Sequence, residues 1–334
     1  MRIHLFAILC LALPVGCDSV KTESKPTGTA TKKALKIGMI AKSTTNPVFL
    51  SALKGAQDAA KELSEKEGVA VTIEWLTPAQ EDGQVQAQNI AKAVNNGANA
   101  ILLACSDASK VTGAINDAVD KNIPVMTFDS DAADSKRFAF YGADDSEVGK
   151  QVMDELAKQI GEKGVVAILA GNQNAPNLQK RAKAVEESAK AYPGIKVIGT
   201  FFHPETPQDA TSEVQRVMQA NPQITGWAMV GGWPLFARSL LDLDSNKVKI
   251  VAVDCLPAQL DYIDKGVAPV LLAQPTYEWG HTSVNLIFDK VVRGKDVPVM
   301  NKMELVRVDK IGLVKWASQL RDWGFEGIDP KYLH

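Results

Sequence analysis

Short apolar runs alternate with amphipathic helical patterns along most of this chain. Between residues 35 and 129 the order reads LKIGMIA, a helical pattern, VTIEWL, a second helical pattern, AILLA, a third helical pattern and then PVMTFD. Apolar runs of about four to eight residues separated by helical stretches are typical of a parallel sheet with helices on its faces. The alternation returns between residues 164 and 254, from GVVAILA to KIVAVD. The sequence therefore predicts an α/β fold with two matching lobes, each a doubly wound parallel sheet.

Helical periodicity in the second half of the chain predicts helices at 178–192, 211–220, 235–243, 258–265 and 281–293. The segment RFAFYGADDSEVG leads from the fourth strand into a helix that starts near Glu147, and MELVRVD ends the pattern at Asp309. If the lobes exchange elements, the chain crosses between them near Ala143, Gln274 and Met303. Three crossings form a hinge about which two rigid bodies close. The predicted lobes are an N-terminal lobe of 35–142 plus 275–302 and a C-terminal lobe of 143–274 plus 303–334.

The N-terminus reads MRIHLFAILCLALPVGCDS, in which one early charge precedes an apolar run. That run is too short to span a membrane as a helix and is typical of a secretory signal peptide, predicted at 1–17. A small residue directly before Cys17 resembles the end of a bacterial lipoprotein signal, although Pro14 stands where that motif usually has leucine. We therefore expect a periplasmic or other extracytoplasmic lipoprotein, anchored to the membrane through lipidated Cys17. Simple cleavage and an uncleaved anchor are the alternatives. Residues 18–34, rich in Lys, Thr, Ser, Pro and Gly, are predicted to form a flexible tether.

Composition and missing motifs exclude several classes of function. The formal charge of -2 and the pI of about 6.1 come without a basic stripe that contains aromatic residues, so nucleic acid is not an expected partner. Cys105 and Cys255 lack the spacing of metal ligands and are predicted to be buried free thiols, with a disulfide as the alternative. The chain has no phosphate-binding loop, dinucleotide fingerprint, nucleophile elbow or zinc motif. We therefore predict neither a cofactor nor a metal.

Polar side chains concentrate in the loops that follow the predicted strands. PVMTFD ends at Asp129 and KIVAVD ends at Asp254, so two buried strands at corresponding places in the two halves stop at a carboxylate. Ligands of open parallel sheets bind outside the carboxyl ends of the strands, where loops converge on helix N-termini. A single strand-end aspartate is often only a helix cap or a turn former. Because a strand-end aspartate occurs at corresponding places in both halves, we predict a ligand site between the lobes.

The series of motifs along the chain resembles a known family. Lys42 is followed by NPVF at 46–49, and then by IPVMTFD, GNQNAPNLQKR, VAVD and AQP in that order. This series is similar to that of the periplasmic sugar-binding proteins of ABC importers, of the ribose and rhamnose type. The resemblance runs from about Leu35 to Asp309. It implies the type I periplasmic-binding-protein fold, with two doubly wound parallel-sheet lobes joined by a three-strand hinge. It also implies a monomer that binds a monosaccharide or small polyol and delivers it to an ABC permease with its ATPase.

The resemblance also implies a set of ligand-binding residues near the carboxyl ends of the strands. They are Lys42, Asn46, Phe49, Asp129, Asn177, Gln179, Trp233, Asp254 and Gln274. The chain departs from the ribose type, because Ser130 and Gln179 stand where that type has arginine and because Gly232 and Trp233 replace its Asn-Asp pair. Lys42 and the strings TFDSD and GQVQ resemble instead the rhamnose-type and autoinducer receptors.

These residue types suit a sugar, which has hydroxyl groups at its edge and C–H groups on its faces. A carboxylate such as Asp129 or Asp254 accepts two hydroxyl hydrogen bonds, and charge-assisted bonds are about twice as strong as neutral ones. Amides both donate and accept, and the aromatic rings of Phe49 and Trp233 offer flat apolar surfaces. Lys42 supplies donors and offsets negative charge. Asn46 is also explained as a turn former, and Arg181 is expected to brace a helix start.

Three other functions fit parts of the pattern. A glycosidase also uses two carboxylates, but it needs one of them in an apolar pocket, whereas both are expected in polar loops here. A sensory receptor for an autoinducer furanose would use the same fold and pass closure to a membrane kinase, and the sequence does not separate this role from transport. A transcription factor of the same fold is disfavoured, because an export signal stands in place of a helix-turn-helix.

Overall fold

The computed structural model describes residues 34–334. The predicted signal peptide, Cys17 and the tether up to residue 33 therefore lie outside the described residues. None of the helices in the described part combines the length and the apolar character needed to cross a bilayer.

Within residues 34–334 the strands form two six-stranded sheets, one in each lobe. In chain order, the strands of the N-terminal lobe are β1 (Leu35–Ile40), β2 (Val71–Trp75), β3 (Ala100–Leu103), β4 (Val125–Phe128), β5 (Ala139–Gly142) and, from a later part of the chain, β11 (Met300–Lys302). Those of the C-terminal lobe are β6 (Lys163–Leu169), β7 (Gly194–Phe201), β8 (Gly226–Met229), β9 (Lys249–Val253), β10 (Val270–Ala273) and β12 (Val306–Asp309). The predicted α/β architecture with two lobes is confirmed.

The two sheets have the same strand order. The strand order is β11-β5-β4-β3-β1-β2 in one lobe and β12-β10-β9-β8-β6-β7 in the other, so each strand has an equivalent across the cleft. Neighbouring strands pair in parallel, except that β12 runs antiparallel to β10. Because parallel strands of one sheet end at the same edge, the loops after β1 to β4 gather in one place, and so do the loops after β6 to β9.

Helices cover both faces of each sheet. They are α1 (Pro47–Glu67), α2 (Gly83–Asn95), α3 (Ala108–Asp120), α4 (Asp145–Gln159), α5 (Pro176–Ala189), α6 (Pro207–Ala220), α7 (Leu260–Asp264), α8 (Thr276–Val291) and α9 (Leu313–Asp322). In the N-terminal lobe α1 packs against α8, and α2 packs against α3. The central strands read as continuous apolar runs because helices bury them on both sides. Cys105 and Cys255 are buried free thiols, as predicted.

Several polar residues of the loops serve as helix caps. The side chains of Asn46, Asp82, Asp107 and Asp144 accept hydrogen bonds from backbone N–H groups in the first turns of α1, α2, α3 and α4. Such caps satisfy donors that the helix itself leaves unpaired. Part of the polar character of these loops is therefore explained by local structure alone.

The chain passes between the two sheets at three places. It leaves β5 for α4 near Ala143, leaves β10 for α8 at Gln274, and joins β11 to β12 through Met303 and the residues after it. The amide of Met303 donates to the carbonyl of Gly142, so two of these connections lie side by side.

The predicted helix at 235–243 is wrong. In its place the chain makes a short 3-10 turn, Trp233–Phe236, followed by further turns. The apolar periodicity reflected burial, since Leu240 packs into the core. The carbonyl of Ala237, which a helix would need internally, accepts a hydrogen bond from the hydroxyl of Tyr262 at 2.6 Å. Tertiary contacts therefore override the local preference of this segment for a helix.

Close packing of α1 against α8 yields a stability prediction. A Cβ atom added at Gly280 would lie 1.8 Å from the carbonyl oxygen of Ala52, so Gly280→Ala forces the two helices apart. We expect a loss of about 1–3 kcal/mol in the free energy of unfolding, measured by urea denaturation. Gly113→Ala, at an exposed position in α3 with no atom within 4 Å, is the matched control. It should be neutral or stabilising by up to about 1 kcal/mol. Equal stability of the two variants would contradict the helix contact.

Candidate functional site

A small cavity, here called the inner cavity, lies between the lobes at the carboxyl ends of both sheets. Its volume is about 30 Å3, which leaves room for about one or two water molecules. Its walls are Lys42, Asn46, Val48, Phe49, Asp129, Asn177, Leu178, Arg181, Glu205, Gly231, Trp233, Asp254, Gln274 and Trp279. The structure thus brings together the predicted ligand-binding residues with the exception of Gln179.

Asp129 and Asp254 occupy equivalent positions, directly after β4 and β9. Both have a positive φ, 57° for Asp129 and 77° for Asp254, which residues other than glycine adopt rarely. The amide of Asp129 donates to the carbonyl of Tyr141 in β5, and the amide of Asp254 donates to the carbonyl of Leu272 in β10. Bonds to the neighbouring strand therefore hold both aspartates in a strained conformation at the cavity wall.

Asp129 takes part in a polar network that joins the two lobes. Lys42 Nζ lies 3.4 Å from the carboxylate of Asp129 and donates to Asn177 Oδ1 at 3.2 Å. Asn177 Nδ2 in turn donates to Asp129 Oδ1 at 3.2 Å. Lys42 and Asp129 belong to the N-terminal lobe, whereas Asn177 lies in the first turn of α5 in the C-terminal lobe. The three side chains therefore form direct contacts across the cleft.

The electrostatics of this network keep Lys42 charged. Burial by itself lowers the pKa of Lys42, but the neighbouring Asp129, followed by Glu81 and Glu205, more than offsets that effect and raises it above its usual value. An ammonium group buried at this depth is stable only because carboxylates surround it. Lys42 therefore supplies hydrogen-bond donors to the cavity at any pH near neutrality.

A second network holds Asp254 on the opposite wall. Gln274 Nε2 donates to one carboxylate oxygen of Asp254 at 2.8 Å, and the amide of Gly232 donates to the other at 3.3 Å. Burial raises the pKa of Asp254, although the bond from Gln274 acts to lower it. The expectation that both carboxylates lie in polar loops without a raised pKa is therefore wrong for Asp254.

Arg181 connects this network to the start of α4. Its guanidinium donates to the carboxylate of Asp145 at 2.8 Å, to Gln274 Oε1 at 2.9 Å and to the carbonyl of Val230 at 3.2 Å. Burial raises the pKa of Asp145, and the adjacent Arg181 lowers it again in part. Arg181 thus braces the start of α4, as expected of it for a helix start, and it also lines the inner cavity and orients the amide that binds Asp254.

Aromatic rings form the apolar walls of the inner cavity. Phe49 stacks on Trp279 with ring centroids 6.1 Å apart, and Trp233 makes an edge contact with His203 at 4.8 Å. Trp233 lines the cavity although only 5% of it is exposed. The sequence analysis did not identify Trp279, because it placed TYEWG before the helix predicted at 281–293, whereas in the structure this segment is the first turn of α8.

Two predicted residues are placed differently from the rest. Gln179 is exposed on α5, where its side chain donates to the carbonyl of Gln173 at 2.6 Å, and it does not reach the inner cavity. Two residues separate it from Asn177 and from Arg181, which is about 200° around the helix axis, so it lies on the opposite side of α5 from these buried side chains. Asn46 lines the cavity, but its Oδ1 is engaged as the cap of α1, which leaves its amide nitrogen for a further contact.

A larger cavity, here called the outer cavity, adjoins the inner one. Its volume is about 630 Å3, and its walls are the loops after β1, β2, β6 and β7. Since β2 and β7 are the edge strands farthest from β11 and β12, the outer cavity lies at the mouth of the cleft, away from the crossings. Glu205 lines both cavities.

Glu81 and Glu205 face each other at this mouth, and the sequence analysis did not single them out. Glu81 follows β2 and Glu205 follows β7, so they occupy the loops after equivalent strands. Burial, together with the adjacent Glu205, raises the pKa of Glu81 well above its usual value. The pattern that identified Asp129 and Asp254 misses these two glutamates, because they lie within the loops and not directly at the ends of β2 and β7.

Comparisons with known proteins agree with this geometry. Residues 37–296 match the protein family described as Periplasmic binding protein domain. That match covers well over half of the chain. The chain belongs to this family. The predicted type I periplasmic-binding-protein fold is confirmed.

Similar proteins include the ribose import binding protein RbsB of Bacillus subtilis, 28% identical over 188 residues, which are 56% of this chain and 59% of that protein. The chain thus spans less than two thirds of that relative. The D-allose-binding periplasmic protein of Escherichia coli is 25% identical over 291 residues, which are 83% of this chain and 91% of that protein.

Solved structures show the same fold. GanP, a glucose-galactose binding protein from Geobacillus stearothermophilus, is 27% identical with a TM-score of 0.76, covering 84% of this chain and 99% of that one. A solute binding protein from Burkholderia graminis in complex with D-arabinose has a TM-score of 0.78 at 24% identity, covering 84% and 97% of the two chains.

His203 beside Trp233 yields a prediction on pH dependence. Burial lowers the pKa of His203 from 6.5 to about 4. Between these values the unfolded chain binds a proton that the folded chain does not, so the free energy of unfolding falls as the pH decreases. The full effect of this residue is about 3 kcal/mol. We expect urea unfolding of His203→Gln to lack this part of the pH dependence. Nuclear magnetic resonance should show the ring of His203 titrating near pH 4; titration at its ordinary pKa would contradict the assignment.

Proposed function

We propose that this protein is an extracytoplasmic solute-binding protein that captures a monosaccharide or small polyol between its lobes and delivers it to an ABC permease. Membership of the periplasmic binding protein family supports binding and transport as the general role. The observation that carries the proposal is the convergence of Asp129 and Asp254, with amides and aromatic rings, on one cavity between the lobes.

Ligand binding and lobe closure are coupled in this proposal. Small-molecule sites usually measure about 300–1,000 Å3, so the inner cavity admits a sugar only when the lobes move apart about the three crossings. The polar contacts among Lys42, Asp129 and Asn177 are then replaced by hydrogen bonds to hydroxyl groups of the ligand. Because the groups come from both lobes, the ligand binds the closed form better than the open form. This difference in affinity shifts the equilibrium toward the closed form.

Each proposed ligand-binding residue has a distinct contribution. Asp129 and Asp254 accept hydroxyl hydrogen bonds at opposite walls, and Lys42 donates. Asn46, Asn177 and Gln274 act as both donors and acceptors, and the rings of Phe49 and Trp233 cover the C–H faces. To this set we add Arg181 and Trp279, which the structure places in the same walls. Gln179 is not part of the proposed site.

Names of similar proteins support a pentose, hexose or polyol as the ligand. Relatives are named for ribose and D-allose, and a xylitol-binding protein of Mycolicibacterium smegmatis is 25% identical over 68% of this chain. Ser130 and the pair Gly232 and Trp233 depart from the ribose type at positions next to the two aspartates. We therefore place ribose behind other sugars and polyols as the ligand. Lipidation of Cys17, which would anchor the protein to the membrane, and the monomeric state remain predictions.

A purely binding role agrees with the state of the two carboxylates. Both oxygens of Asp254 accept hydrogen bonds from Gln274 and Gly232, and Asp129 is held by Lys42 and Asn177. Carboxylates that are fixed as acceptors are suited to hold hydroxyl groups in place. Incubation with candidate sugars and glycosides, followed by product analysis, should show no turnover, whereas product formation would support a glycosidase.

Calorimetry on aspartate variants tests the site. A thermal-shift screen against pentoses, hexoses, deoxyhexoses, cyclitols and the autoinducer furanose first identifies a ligand. We expect Asp129→Ala and Asp254→Ala each to weaken binding of that ligand by at least about 1–3 kcal/mol, because buried polar partners are left unpaired. Gln179→Ala, an exposed change on α5, is the control and should retain the wild-type affinity. Unchanged affinity in both aspartate variants would remove these residues from the site.

A further inference from the structure

The mouth of the cleft is built around two carboxyl groups from opposite lobes. Glu205 is buried, has a positive φ of 38°, and accepts a hydrogen bond from the amide of Asn172 at 2.9 Å. Gly171 packs against it so closely that a Cβ there would lie 2.6 Å from Glu205 Cγ. Backbone strain and a close glycine show that the C-terminal lobe holds Glu205 in a fixed position facing Glu81.

Buried polar groups at this mouth are poorly satisfied within residues 34–334. The carboxyl oxygens of Glu81 meet no hydrogen-bond donor there other than the adjacent carboxyl group of Glu205, and the two ring nitrogens of His203 have no hydrogen-bond partner there. His203 lines the outer cavity and only 6% of it is exposed. Unsatisfied buried groups are costly and rare, and a ligand is one means of satisfying them.

Charge in the cleft is unbalanced. The side chains that interact there within residues 34–334 include the carboxyl groups of Asp129, Asp145, Asp254, Glu81 and Glu205, two buried cations, Lys42 and Arg181, and the exposed Lys180 beside Asp145. Lys42 is engaged by Asp129, and Arg181 is engaged by Asp145. Among the described residues that line the outer cavity there is no lysine or arginine. A neutral ligand would leave the carboxyl groups at the mouth to share Lys42 with Asp129 as their counter-charge.

We propose that the outer cavity receives a protonated amine of the ligand, held between Glu81 and Glu205, while the hydroxyl-bearing part of the same ligand occupies the inner cavity. The ligand class is then an amino sugar or amino polyol. This inference rests on the proposed function and narrows its substrate class. Glu205 lines both cavities and so connects the two parts of the site.

An amine suits the mouth better than a metal ion does. Within the described part of the chain, no group of three or more His, Cys, Asp or Glu residues has a geometry that could hold a metal. An ammonium group donates three hydrogen bonds, and the two carboxyl groups and the neutral ring of His203 can accept them. Phe202, exposed at the rim of the outer cavity, offers an aromatic face to the same cation.

Binding of an amine at this place releases a proton. Glu205, Lys42 and Asp129 are the ionisable groups that face Glu81; burial and Glu205 raise its pKa and so favour the neutral acid, whereas Lys42 acts in the opposite direction. When the ammonium group takes its place between the two glutamates, Glu81 ionises and its proton passes to solvent. Calorimetry in buffers of different ionisation enthalpy measures that proton directly.

The test uses matched pairs of probes on the full chain at about pH 6, where an amine of ordinary pKa is charged. The pairs are glucosamine with glucose, galactosamine with galactose, mannosamine with mannose, and N-methylglucamine with sorbitol. We expect the amine of at least one pair to bind about tenfold or more tightly than its neutral partner, with proton release. Glu81→Gln should reduce that ratio to about one, while Glu65→Gln, an exposed change on α1, should leave it unchanged.

The outcomes separate the two proposals. If no member of any pair binds and the wider sugar screen is also negative, the proposed function itself fails. If neutral sugars bind at least as tightly as their amines in all pairs, or if Glu81→Gln keeps the amine preference, only the inference about the mouth is overturned. An amine preference that appears without proton release would also contradict the placement of the ammonium group between the two glutamates.

Discussion

Buried charges and amides cannot remain unpaired, and this requirement organises the cleft. In the described conformation Lys42, Asp129 and Asn177 satisfy one another across the two lobes. Opening the cleft breaks these bonds and exposes the groups to water, and a hydroxyl-rich ligand restores equivalent bonds. The lobes therefore close around a ligand that can hydrogen-bond to their polar groups. A buried polar group without a partner costs more free energy than a typical hydrogen bond contributes.

The equivalence of the two lobes explains why the acidic groups of the site occur in pairs. Equivalent strands β4 and β9 each end at an aspartate with a positive φ, and equivalent strands β2 and β7 each lead to a loop with a glutamate. The sheets thus place acidic groups at equivalent positions, and the side chains around each group give it a different environment. Asp129 has a lysine partner and Asp254 has an amide partner, whereas Glu81 lies against a second acid, Glu205.

Sequence patterns predicted the sheets, the paired aspartates and most of the cavity wall, because burial and strand ends leave local signals. They failed where tertiary contacts decide. The turns after Trp233 have a helical apolar pattern, but the hydroxyl of Tyr262 donates a hydrogen bond to the carbonyl of Ala237, which a helix would use internally. Gln179 lies near Asn177 in sequence yet on another side of α5. β11 is a three-residue strand with a polar residue at its centre, so it leaves no periodic signal.

The central claim is that a ligand draws the two lobes together by satisfying groups from both. Small-angle X-ray scattering of the full chain, with and without the ligand that calorimetry identifies, measures this most directly. The account predicts a smaller radius of gyration at saturating ligand and no change with a sugar that does not bind. An unchanged scattering curve while the site is fully occupied would contradict it.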